Sequence, residues 1–158
     1  MNNQTQKLAL ATELASVKSD QNILAALSIY HPNAEMIAPS FDAIAKGSTE
    51  IEHQLNLFFS LFPDYSVELE EYAFNDNVML ATGQVSLSVQ LPEKTTPRIK
   101  LPVFMELHFF ENRISKEIFN LDVGMICRKS GVSREEIQQA LATYHESKKD
   151  RKNEWAGD

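Results

Sequence analysis

The stretch LHFFENRISKEIFNLD, from Leu107 to Asp122, carries an imidazole near one end and a carboxylate at the other, with Phe, Leu and Ile between. Read as two strands turning at Glu111-Asn112, it puts His108 on one face with Phe104, Glu106 and Phe110. Asp122 shares a face with Asn120, Ile118 and Lys116 if the second strand stays regular. Burial without a cation raises the pKa of a carboxylate and lowers that of a histidine, and either change favours proton transfer near neutral pH. Glu106, turned inward beside His108, would bring a second carboxylate to the same site. The plainer reading makes His108 a satisfied core or edge residue and Asp122 a cap on the turn after the last strand. A turn at Glu111-Asn112 pairs His108 with a residue nearer the turn than Asp122. The two therefore meet only if the sheet curls or the chain bends at Asp122.

The elements that would position these residues follow from the hydrophobic period. TQKLALATELASV has Leu8, Ala11, Leu14, Ala15 and Val17 at helical spacing. Asp20 is placed to cap a second helical segment, QNILAALSIY, which stops before Pro32. AEMIA predicts a short strand closed by Pro39. STEIEHQLNLFFSLF predicts an amphipathic helix that starts at Gly47-Ser48 and ends at Phe62-Pro63-Asp64. Its stripe of Leu55, Phe58, Phe59 and Phe62 suits a core, and Phe59 is also a candidate for a pocket wall. After Pro63 the period becomes two, through YSVELEEYAF, the turn residues Asn75-Asp76-Asn77, VMLATGQVSLSVQL, and the two strands of the hairpin. Ser133 and Glu136 stand in capping-box register for a final helix. Helices, then antiparallel strands, then a helix describe an α+β chain.

With 158 residues the chain suits one domain, taken as 1–147, followed by a charged tail over 148–158. The net charge of -7 argues against a nucleic-acid partner, because the one basic cluster, KKDRK, is offset by neighbouring acids. No apolar run approaches the roughly 20 residues of a membrane span. The start MNNQTQKLAL lacks a signal peptide's basic start and apolar core, and Cys127 stands alone, so a cytoplasmic setting is expected. No glycine-rich phosphate loop, HExxH or GxSxG motif is present, and no metal is expected. What remains is acid–base chemistry without a cofactor. The strand Val103 to Phe110 is apolar on both faces and therefore predicts a homodimer.

HFFENRISKEIFNLD resembles the last hairpin of the SnoaL-like polyketide cyclases, in the NTF2-like superfamily. FFSLFPDYSVELEEYAFNDNVMLATG resembles that family's helix, Phe-Pro-Asp break, strand, turn and Thr-Gly strand. The likeness runs from Asp20 to Asp122 and rests on the order of several short motifs. It implies a cone-shaped α+β barrel, with a curved antiparallel sheet wrapped around the N-terminal helices and a pocket between them. It also implies cofactor-free aldol-type ring closure on a hydrophobic, carbonyl-bearing small molecule. Asp122 would be the acid/base and His108 its partner, with Glu106, Phe104, Asn120, Tyr30 and Phe59 as substrate contacts. Gln84 stands where the family commonly has a histidine, and PEKTTPRIK replaces its Pro-Thr-Gly loop. Phe119 or a neighbour stands in place of a tryptophan. These departures leave the substrate open. A binder of an apolar ligand and a dimerisation domain are the alternatives, since one fold hosts many functions.

Overall fold

The computed structural model describes residues 3–144. Two helices open the chain, α1 (Asn3–Ser19) and α2 (Ile23–Ile29). Strand β1 (Tyr30–Ala38) follows, then a single 3-10 turn, β2 (Ala43–Lys46) and α3 (Gly47–Leu61). Four strands come next: β3 (Ser66–Asn75), β4 (Val78–Leu87), β5 (Ile99–Phe110) and β6 (Arg113–Leu121). Helix α4 (Val123–Ser130) closes the series, and residues 134–144 are again helical. No helix among the described residues is long and apolar enough to cross a membrane. The charged tail expected over 148–158 lies outside the described residues.

The six strands form one sheet in the order β2-β1-β6-β5-β4-β3. All neighbours are antiparallel except β1 and β6, which run parallel. The expected curved antiparallel sheet forms, with this one parallel pair inside it. Between β1 and β6 the chain passes through α3 and the whole β3–β5 meander, a crossover long enough to return it in the same direction. The sheet keeps two free edges, so the barrel does not close.

Bulges bend the sheet. The ladder between β3 and β4 shifts between Leu69 and Glu71, opposite Gly83. A Cβ on Gly83 would lie 2.2 Å from the Glu68 carbonyl oxygen, so only glycine lets the bulged strand approach this closely. This gives the Thr82-Gly83 pair of the sequence a physical role. β1 begins four residues earlier than the AEMIA pattern predicts (Tyr30 against Ala34). Its ladder to β6 is irregular between Tyr30 and Glu35, where Pro32 has no N–H to offer.

The sheet's inner face carries Met79, Ala81, Val85, Leu101, Val103, Met105, Leu107 and Phe109, all buried. Helix α1 turns Lys7, Ala11, Leu14 and Lys18 toward this core, at the spacing i, i+4, i+7 and i+11. Asn22, rather than Asp20, caps α2, its side chain accepting from the Ala25 amide at 3.1 Å. The reason lies in Gln21, which takes a left-handed φ of 53° and finishes the turn out of α1 first. The capping box before residues 134–144 forms as read: Ser133 and Glu136 each accept from the other's backbone amide at 3.1 Å.

Candidate functional site

The cavity lies on the inner side of the sheet, between the end of α1, α3, β1 and β6, and encloses about 250 Å³. Its wall is mostly aromatic. The Phe58 ring lies 5.9 Å from Phe119 and 5.0 Å from Tyr65, both edge-on, and Phe41, Phe59 and Met36 continue the lining. Two charged side chains lie deep in this wall, Lys18 and Glu117.

Glu117 faces inward because β6 carries a bulge. In register with β5, His108 stands opposite Lys116 while Phe109 stands opposite Ile114, leaving Ser115 as the extra residue. The strand's phase changes there. Ile114 and Glu117, three apart, both point to the core, followed by Phe119 and Leu121. Glu117 is opposite Leu107 on one side and Met36 on the other, and only 1% of its surface is exposed.

A carboxylate so buried needs partners. Lys18, in the last turn of α1, donates to Glu117 Oε1 at 2.7 Å, and the Tyr30 hydroxyl donates to the same oxygen at 2.6 Å. The Lys18 ammonium also stands 5.6 Å from the Tyr30 ring centre and 5.7 Å from that of Phe119, within reach of both π faces. Both bonds fall on Oε1. No hydrogen bond among the described residues uses Oε2, yet no side-chain oxygen or nitrogen there is both sealed and unpartnered. Oε2 is therefore the oxygen turned to the cavity. The same reasoning applies to Tyr65, which is 1% exposed, lines the cavity and makes no side-chain hydrogen bond among the described residues.

Burial, then the charge and hydrogen bond of Glu117, holds the Tyr30 hydroxyl well above the usual tyrosine range. Burial, followed by the Glu117 charge, does the same for Tyr65. Tyr65 is also held firmly. Its carbonyl accepts from the Gln21 side chain at 2.6 Å. The preceding Asp64 accepts from the Ser88 amide at 2.7 Å and from the Ser88 hydroxyl at 2.6 Å.

The hairpin residues singled out in the sequence lie elsewhere. His108 projects from the outer face of the sheet, its Nε2 2.8 Å from Glu106 Oε2. Phe104 lies on that outer face, more than half exposed, with Asn120 opposite it on β6. Asp122 is the N-cap of α4 and accepts from the Met125 amide at 3.0 Å. It sits six positions beyond Lys116, the residue opposite His108, so about 20 Å of strand separates them. The expected pocket shared by His108 and Asp122 does not form. The alternation of β5 sends its even-numbered residues outward, and the chain turns into α4 at Asp122 instead of bending back. Tyr30 is drawn to the site as a partner of Glu117, and Phe59 lines the cavity.

Glu117, Lys18 and Tyr65 escaped the sequence reading, although two of them carried a signal. Glu117 lies two and four residues before Phe119 and Leu121, on their apolar face. Lys18 continues the Ala11-Leu14 stripe of α1 at positions +7 and +4. Tyr65, directly after the Phe-Pro-Asp break, carried none.

No family model and no curated protein matches the sequence. Solved structures do match in fold. A protein of Catenulispora acidiphila with a ketosteroid isomerase-like fold, in complex with trimethylamine, superposes with a TM-score of 0.71 at 11% identity. The match covers 78% of this chain and 93% of that one. A protein of Jannaschia sp. CCS1 assigned as a SnoaL-like polyketide cyclase gives 0.71 at 10% identity, over 82% and 94% of the two chains. A SnoaL-like assignment from Shewanella putrefaciens gives 0.68 at 12%, over 79% and 95%. An NTF2-like protein of Burkholderia pseudomallei gives 0.69 at 10%, over 80% and 98%, and the open six-stranded sheet around N-terminal helices, with a cavity on its inner face, is the fold this chain has in common with these proteins.

Proposed function

We propose that the cavity binds a small, largely apolar, carbonyl-bearing molecule, and that Glu117 moves protons on it. The observation that carries this reading is the free Oε2 of a carboxylate otherwise enclosed by aromatic rings. Lys18 and Tyr30 fix Oε1, so the carboxylate presents Oε2 in a set direction without reorganising. A proton taken from a carbon next to a carbonyl would pass to Oε2 and leave an enolate, which attacks a second carbonyl in an aldol-type closure; the new alkoxide then takes the proton back from Oε2, giving the hydroxyl and restoring the carboxylate. Glu117 thus takes the role that the sequence suggested for Asp122. The resemblance of the fold to SnoaL-like assignments supports this class of chemistry. A binder without turnover is the alternative.

The test uses 2-tetralone, whose α-hydrogens exchange in deuterated water. The wild type is expected to accelerate the exchange, and Glu117→Gln to lose about 10²–10⁴-fold of that acceleration while still binding the ketone. Exchange unchanged in Glu117→Gln would sink the base. Binding without any acceleration by the wild type would leave only the binder.

A second reading concerns self-association, and the outer sheet face favours it. One row crosses all six strands there: Ala73, Leu80, Glu106, Ile118, Ile37 and Ile44 in successive register. Leu80, Ile44 and the nearby Phe104 are each more than half exposed. This row, apolar except for Glu106, suits burial against a second copy. Sedimentation at micromolar concentration should give a dimer that Ile118→Lys converts to a monomer. A monomeric wild type would discard the reading.

A further inference from the structure

The cavity holds a second polar atom that the chain leaves unused, and it is a donor. The Tyr65 hydroxyl lies in the wall, on a side chain only 1% exposed, without a partner among the described residues. Buried hydroxyls ordinarily find a partner, because an unmade hydrogen bond costs about 1–3 kcal/mol. Lys18 already spends a donor on Oε1 and lies against two rings, and Gln54, also in the lining, is only partly buried, so Tyr65 is the fully buried donor of the wall without a partner among the described residues. Glu117 Oε2 is an acceptor in the same position. Tyr65 and Phe119 are in ring contact at 6.3 Å, and Phe119 is two residues from Glu117 on the same strand face, so the two groups lie in one part of the cavity wall.

We propose that Tyr65 and Glu117 together select the ligand: a neutral aromatic or alicyclic molecule carrying a hydrogen-bond acceptor for the Tyr65 hydroxyl beside a donor, or an acidic C–H, for Glu117 Oε2. This deepens the reading of Glu117 given above and rests on it for the second contact. Neutrality follows from the charges already present. Lys18 and Glu117, the buried charges of the wall, balance each other, and Asp42, the third charged residue of the lining, is exposed to solvent, so a further buried charge would have no buried counter-ion. The tyrosine remains a donor at ordinary pH, since burial and then the Glu117 charge both oppose its ionisation. Amides, lactams and ketones with acidified α-hydrogens meet the requirement. Hydrocarbons and carboxylate anions do not.

Acetophenone, which offers an acceptor, and ethylbenzene, which offers none, are shape-matched probes. Titrated by protein NMR, acetophenone should bind Tyr65→Phe about 3–10-fold more weakly than it binds the wild type. Ethylbenzene should bind both proteins equally, which also reports that the variant's cavity is intact. The carbonyl stretch of bound acetophenone should lie at lower frequency in the wild type than in hexane, and return toward the hexane value in Tyr65→Phe. Because the wild-type shift needs no variant, it stands as a separate test. No binding of acetophenone, no red shift, or equal loss of both probes in Tyr65→Phe would overturn the proposal. A wild type that shows no red shift but keeps Glu117-dependent exchange would overturn the proposal at Tyr65 and leave the base standing. The reverse would remove the base and leave the carbonyl contact.

Discussion

Glu106 and Glu117 leave the same hairpin in opposite directions, one residue out of register across it. Glu106 goes outward and meets His108 at 2.8 Å, with about a third of each side chain open to water. Glu117 goes inward and meets Lys18 at 2.7 Å, with 2% of its side chain exposed. The two contacts have nearly the same length and very different physical meaning. On the outer face, water solvates either group if the other is lost, so the pair contributes little. Inside, each charge depends on its partner, because removal from water costs several kcal/mol per ion.

Breaking the two pairs should therefore separate them widely. Glu117→Ala leaves the Lys18 ammonium buried without its counter-ion and should cost about 3–5 kcal/mol in denaturant unfolding. Glu106→Ala should cost less than about 1 kcal/mol. Equal losses would show that the inner pair is as well hydrated as the outer. The comparison sharpens with the double replacement Lys18→Met and Glu117→Leu. It removes both charges and should regain much of the stability lost in Glu117→Ala, while abolishing 2-tetralone exchange. A double variant as unstable as Glu117→Ala would locate the cost in packing rather than in an orphaned charge.

Alkali should act on the inner cluster and spare the outer one. Tyr30 and Tyr65 titrate above the ordinary tyrosine value of 10.0 when folded. A group whose folded pKa is raised contributes stability that is fully present below the unfolded value and is lost as pH rises through the folded one. Unfolding free energy should thus fall above pH 10, and fall less steeply in Tyr30→Phe and Tyr65→Phe. A wild-type slope unchanged in both variants would mean that these hydroxyls ionise without unfolding.

Much of this architecture was legible in the residues. The change of period after Pro63, the turn at Glu111-Asn112 and the Ser133–Glu136 box each reflect local chemistry, and each forms as read. The site was harder to see, for a specific reason. Strict alternation from Ile114 predicts Lys116 and Ile118 on the core side, and the bulge at Ser115 replaces them with Glu117 and Phe119. A bulge depends on the partner strand, and no residue of β6 announces it. His108 was a plausible candidate because its neighbours are apolar on both faces, and sequence alone does not say which face the helices cover. β2 was missed because four residues are too few to display a period.

The smallest expected effect concerns the residue that the sequence made most prominent. Asp122 ends β6 and starts α4, its carboxylate oxygen accepting the Met125 amide at 3.0 Å. That bond satisfies one of the free amides of the helix's first turn, and replacing such a cap by alanine typically costs about 1 kcal/mol. Asp122→Ala should therefore lower stability by about that amount, and Asp122→Asn, which caps equally well, by much less. Neither should change 2-tetralone exchange, because the side chain is outside the cavity lining. Parallel unfolding and exchange measurements on the two variants decide the matter. An Asp122→Asn protein with full stability and lost exchange would restore Asp122 as the proton-transfer group and displace Glu117.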